Sequence, residues 1–379
     1  MLPVLLSACA DFQDSAAPQT WHPQQTLPPE QGPNPQIPGM PQGVPGAPGS
    51  SSSPRTMPPP KGCQDFNPAV IATCLNPVSA VAALPSNGQR PSGLAAERTT
   101  GRILRVAKGS DPVQVAKLQV NTAGGGGLTG IALSPSYQED QLIFAYITTP
   151  TDNRVVRFAS GEPPTPVLTG IPRGASDNRG VMALDHDGAL LVATGDAGNP
   201  AAAGDPHSLA GKVLRIDDSG KPAPGDPTPG SAVIASGLSA PGGICSSSDG
   251  KQTWVTDRTP EKDVLYRVYA GKSLGTPAWT WQDRPGVAGC AVFPHAVMVA
   301  TAIAGNVQSL PLNADGTFSG KPQIGLDGKQ GYGRLSGLDL ASDRYAIAGT
   351  VNKDGGKPIS SDDRVVVILP QSAGGGGKD

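Results

Sequence analysis

Charge is scarce in this chain: only 16% of its 379 residues are Asp, Glu, Lys or Arg, aromatics make up 4%, and there are four histidines. The 29 Lys and Arg do not exceed the 31 Asp and Glu, so no basic stripe is available to neutralise phosphates, which argues against a nucleic-acid partner. No run of 18 apolar residues occurs anywhere, which excludes a membrane-spanning helix. With so few histidines, a nucleophilic triad has no support. What the chain has in quantity is glycine (50) and proline (41). That composition disfavours long helices and leaves two outcomes, a disordered segment or a turn-rich β protein. The sequence contains both.

The first nine residues read MLPVLLSAC, and Leu6-Ser7-Ala8-Cys9 matches the bacterial lipobox. Cys9 is therefore expected to carry a lipid, anchoring an extracytoplasmic protein to the cell membrane. The stretch before it is short and lacks a basic n-region, which points to a true start codon further upstream. Residues 10–60 are Pro, Gly, Gln and Ser with few aliphatics, and residues 11–60 hold 14 of the 41 prolines. Such a segment buries too little surface to offset its ordering entropy, so it reads as an extended stalk. Residues 371–379 read as a frayed tail.

Beyond Cys9, four cysteines remain, an even number that suits an oxidising compartment and allows three pairings. Cys63 with Cys74 is the local choice and leaves Cys245 with Cys290, the pairing expected here. A zinc site is the competing reading, but neither a CxxC nor a His cluster accompanies the cysteines.

Between residues 61 and 370 short runs rich in Val, Ile, Ala and Thr alternate with Gly, Asp, Asn and Pro. Six such runs begin at Gly93, Gln141, Ala189, Gln252, Ala296 and Arg344, spaced 48, 48, 63, 44 and 48 residues apart. Each is followed by a second strand, such as NRVVRFA or GKVLRI, and most are preceded by an apolar strand and a turn. Repeats of this length predict an all-β, six-bladed β-propeller. A β-sandwich would not require even spacing over so long a stretch.

Several pieces carry a more specific signal. GGLTGIALSPSY at Gly126–Tyr137 followed by DNRVVRF, ALLVATGDAG from Ala189, SLAGKVLRI from Ser208 and the late DGGKPISSDDRVVVI resemble the glucose/sorbosone dehydrogenase family. The resemblance runs from about Leu84 to Pro370 and implies pyrroloquinoline quinone (PQQ) and calcium as cofactors and oxidation of sugar hydroxyls as the activity. Aligned on Gly180, Asp177 stands where the family has its catalytic His. The stretch matching the family's GHRNPQG contains Leu238, Ser239 and Ala240, without its Arg–Asn pair. The calcium loop corresponds to Thr259–Lys262, where Glu261 offers an oxygen ligand. Of the family's late RxR pair, Arg334 is kept and the second position is Ser336. Arg179 is a further candidate for holding cofactor carboxylates.

Three functions follow from this reading. The first is a PQQ sugar dehydrogenase with Asp177 as base. The second is a non-catalytic propeller binding a glycan, an envelope polymer or a protein. The third is a hydrolase with a central cation held by strand-terminal residues such as Asp196, Asp257 and Asn352, for which local turn chemistry is the alternative. Trp279 and Trp281 read as sheet packing and His207 as an exposed loop residue.

Overall fold

The computed structural model describes residues 57–85 and 90–370. Cys9 with its lipobox, most of the Pro-rich stretch and residues 371–379 lie outside the described residues. Six four-stranded antiparallel sheets form the fold, as the repeat spacing predicts. Each sheet is one blade, and its strands neighbour one another in chain order apart from one closure. The six first strands, Val78–Ala83, Leu128–Leu133, Gly180–Leu184, Pro241–Ser246, Val287–Phe293 and Leu335–Ser342, pack side by side around a central channel. The blades that they open are numbered I to VI below.

Small residues let these inner strands approach closely. A Cβ on Gly289 would lie 2.1 Å from the Leu338 nitrogen, and one on Gly337 would lie 2.6 Å from the Ala80 Cα. Hydroxyls then tie four of the six blade junctions. Ser79 Oγ donates to Leu128 O at 2.6 Å, Thr129 Oγ1 to Gly180 O at 2.9 Å, and Thr256 Oγ1 to Ala288 O at 2.6 Å. Ser336 Oγ closes the ring by donating to Val78 O. Between the blades, aliphatic side chains from facing sheets form the apolar clusters of the core, such as Ile131, Ile143 and Leu94 between blades I and II.

The sixth blade is built from both ends of the domain. Strand Val70–Ala72 pairs with Val365–Ile368, with Val70 opposite Val366, so the start of the domain supplies the outer strand of the last blade. The Cys63–Cys74 disulfide brackets that strand, with its Cα atoms 5.3 Å apart. Cys245 and Cys290 form the second disulfide, which joins the inner strands of blades IV and V. Both pairings are those expected from the sequence. The two α-helices among the described residues, Tyr137–Asp140 and Pro200–Gly204, are single turns. No helix among the described residues is long and apolar enough to cross a membrane.

Candidate functional site at the channel mouth

At the end of the channel where the inner strands begin, Arg98, Arg179, Arg258 and Arg334 converge with Asp354 on a cavity of about 350 Å³. Arg98 and Arg258 stand where the second strands of blades I and IV end, at Ser92–Glu97 and Thr253–Arg258. Arg179 and Arg334 immediately precede the inner strands of blades III and VI. In a ring of six, blade I faces IV and blade III faces VI, so the guanidinium groups enter as two opposed pairs.

Local structure aims each of them. Arg98 donates through Nη2 and Nε to Asp354 Oδ2 at 2.7 and 3.1 Å, and through Nη1 to Gly126 O at 3.0 Å. Its neighbour Glu97 is fully buried and takes Arg102 Nε and Nη2, each at 2.7 Å, which fixes the end of that strand. Arg258 donates to Val287 O at 2.6 Å and Gly286 O at 3.2 Å. The backbone N–H of Arg334 donates to Asn352 Oδ1 at 2.8 Å. The Nε atoms of Arg179 and Arg334 are buried without a hydrogen-bond partner.

The electrostatics have one sign. Burial pushes the Arg179 guanidinium down to about 9, and the neighbouring charges of Arg258 and Arg98 push it the same way, against the pull of Asp354 and Asp177. Burial likewise lowers Arg258, with Arg334 adding to it and Asp263 and Asp257 opposing. On the cavity wall itself four cations face one carboxylate, an excess of three positive charges. Unmade N–H donors and repelling guanidiniums both call for an anion, and planar guanidiniums suit carboxylates in particular.

Two of the four cations, Arg179 and Arg334, are those expected from the sequence, and the structure brings them together. Arg98 and Arg258 lie outside the motifs that mark the other two. The blade repeat held the clue, since both lie at the end of a second strand, beside the entry of an inner one. Leu238, Ser239 and Ala240 indeed offer no charge: Leu238 is buried, and the N–H groups of Ser239 and Ala240 donate to Asp257 at 3.0 and 2.7 Å. Ser336 is engaged in the closure to Val78.

Asp177 lies in the turn before the inner strand of blade III, with φ at 53°, and its Oδ2 accepts the Ser176 hydroxyl at 2.6 Å. It is not among the residues lining the arginine cavity. Glu261 is exposed in the turn between Thr253–Arg258 and Asp263–Val268, and it too lies outside that lining. Among the described residues no group of three His, Cys, Asp or Glu side chains is placed to hold a metal ion.

The strand-terminal acids serve the backbone instead. Asp257 takes the two N–H groups already named, Asp196 Oδ1 takes Gly198 N–H at 2.7 Å, and Asn352 bonds Tyr332 O at 2.8 Å and Asp362 Oδ1 at 2.9 Å. This is turn chemistry, and it leaves no ring of inward oxygen ligands. Trp281 donates to Gln308 Oε1 at 2.6 Å with Trp279 edge-on beside it, which is sheet packing. His207 is exposed.

The family model described as Glucose / Sorbosone dehydrogenase matches residues 76–288. Among solved structures, the PQQ-bound aldose sugar dehydrogenase of Streptomyces coelicolor is 29% identical, covering 79% of this chain and 96% of its own, with a TM-score of 0.72. The Thermus thermophilus oxidoreductase described as a glucose dehydrogenase is 27% identical, covering 79% of this chain and 98% of its own, with a TM-score of 0.71. The apo-form soluble aldose sugar dehydrogenase of Escherichia coli shares the fold at 19% identity, covering 79% and 99%, with a TM-score of 0.66. Among proteins of curated function, none matches the sequence. With more than half its length matched by the family model, this six-bladed propeller belongs to the glucose/sorbosone dehydrogenase family.

Proposed function

We propose that the protein is a lipid-anchored, extracytoplasmic sugar dehydrogenase that binds PQQ at the arginine cavity. The observation that carries this reading is the charge match. PQQ bears three carboxylates, and the cavity offers three guanidinium charges beyond the one that Asp354 neutralises. Arg179 and Arg334, whose buried Nε donors lack partners, and Arg258 would take the carboxylates, while Arg98 stays held by Asp354. Bound there, PQQ supplies the acceptor for the hydride that leaves a sugar carbon.

The chain's own part is to fix that acceptor and take the hydroxyl proton. Asp177 stands at the family's base position, close enough for its charge to be felt by both Arg179 and Asp196. One of its oxygens is held by Ser176, and the other is the proposed proton acceptor. Among the described residues no cluster of three His, Cys, Asp or Glu side chains is placed to hold calcium, and no step is assigned to that ion. The two disulfides favour an oxidising compartment, and Cys9 is the proposed lipid attachment point. The membrane, through that lipid, and a sugar are the expected partners, and no nucleic acid is.

One observation favours a second reading. Asp177 does not line the cavity, so a propeller that binds a glycan, an envelope polymer or a protein without turnover is the alternative. Dye-linked oxidation of a panel of aldoses by the PQQ-loaded protein separates the two. Turnover that is lost in Asp177→Ala supports the dehydrogenase, and PQQ binding without turnover of any aldose leaves the binding propeller.

A further inference from the structure

A second cavity, of about 260 Å³, occupies the far end of the channel. Each inner strand lines it with one triplet, from residues 81–83 in blade I to 338–340 in blade VI. A waist of about 30 Å³, where the inner-strand glycines crowd together, separates it from the arginine cavity. No single small molecule reaches both.

The lower cavity differs from the upper in sign and character. Its wall is mostly alanine, valine, leucine and isoleucine, with Met182, Ser246 and the Cys245–Cys290 disulfide, and it contains one charged group, Asp339. Asp339 Oδ2 accepts the Ala83 N–H at 2.7 Å, and no Lys or Arg lies in the lining to pair with it. A carboxylate in such surroundings is costly to keep ionised, and a cation bound beside it offsets that cost. The space is adequate, since an apolar cavity of about 150 Å³ already admits benzene.

We propose that this lower cavity binds a small organic ammonium ion, with its cationic head on Asp339 and its hydrocarbon body against the aliphatic wall. The site is independent of the arginine cavity and of the function proposed for it. Burial pushes the Asp339 carboxyl up to about 6, against the pull of the Ala83 and Leu340 N–H groups. Asp339 is the one ionisable side chain on all six inner strands, cysteines 245 and 290 being joined. The affinity for a cation therefore falls as pH drops through that value.

Calorimetric titration of the full chain with benzylammonium chloride, at pH 8 and at pH 5, tests this. Saturable one-to-one binding at pH 8 is expected, with affinity at least tenfold weaker at pH 5, for neutral benzyl alcohol at pH 8, and for Asp339→Asn. PQQ affinity should be the same in Asp339→Asn as in the unsubstituted chain. No binding of benzylammonium at millimolar concentration overturns the proposal. So does equal affinity for the alcohol, or an affinity that does not change with pH. The last two comparisons need only the unsubstituted protein, so they decide the matter even where Asp339→Asn does not fold.

Discussion

The backbone N–H of Arg258 donates to the carbonyl of Ala240 at 3.1 Å, so its side chain starts beside the uncharged turn Leu238-Ser239-Ala240. The positive charge on this side of the cavity thus comes from the end of the second strand of blade IV. If this cation holds the cofactor, Arg258→Ala removes one or two charge-assisted hydrogen bonds, each worth about 1.5–3 kcal/mol. PQQ affinity should fall by about tenfold to a hundredfold or more, with the fold unchanged by circular dichroism. Unchanged affinity would place the cofactor contacts elsewhere.

Ser336 gives the opposite expectation. Its hydroxyl closes the ring onto Val78 and is not free for a ligand. Ser336→Ala should lower stability by about 1 kcal/mol in chemical denaturation and leave PQQ affinity within twofold. A loss of affinity without a loss of stability would make Ser336 a ligand group.

The two disulfides should differ in worth. Cys245–Cys290 spans 45 residues and Cys63–Cys74 spans 11. Loop-closure entropy assigns them about 4 and about 3 kcal/mol. Replacing Cys245 and Cys290 together by Ser should therefore lower the unfolding midpoint more than replacing Cys63 and Cys74. The reverse order would show that the clasp around strand Val70–Ala72 matters beyond chain entropy.

Asp257 is fully buried, and burial pushes its carboxyl up to about 6, partly offset by the Ser239 and Ala240 N–H groups, with Asp196 adding to the rise. A carboxyl whose folded value lies above its unfolded one binds more protons when folded. Its contribution to stability therefore grows as pH falls from 7 to 4 and is flat below that. The unsubstituted protein should gain up to about 3 kcal/mol over Asp257→Asn across this window. Buried Glu97, held below its usual range by Arg102, Thr100 and Asn76 despite its burial, gives the opposite trend, in a lower window. A pH-independent difference between the two proteins would contradict the assignment to Asp257.

The blades were legible because alternation of apolar runs and turns is a local property, and the cysteine pairs because one was close in sequence. The arginine site was half legible. Arg179 and Arg334 lie inside stretches that align with family motifs. Arg98 and Arg258 lie at the ends of second strands, and only the antiparallel pairing brings those ends to the channel mouth. The same holds for Ser336: its sequence position suggested a lost cofactor contact, while its neighbour across the ring, Val78, is 258 residues away. Lys212 shows the converse. It belongs to the most family-like motif, SLAGKVLRI, yet its ammonium is buried on the carbonyls of Ala202, Ala203 and Ala210 at 2.8, 2.9 and 2.8 Å, a structural role.

The most direct test of the central claim is calorimetric titration of the full chain with PQQ, repeated with Arg179→Ala. The account predicts one-to-one binding at micromolar or tighter affinity, weakened at least tenfold in the variant and by added salt. No binding at high micromolar PQQ, or equal affinity in Arg179→Ala, would contradict an anion site built from the four arginines.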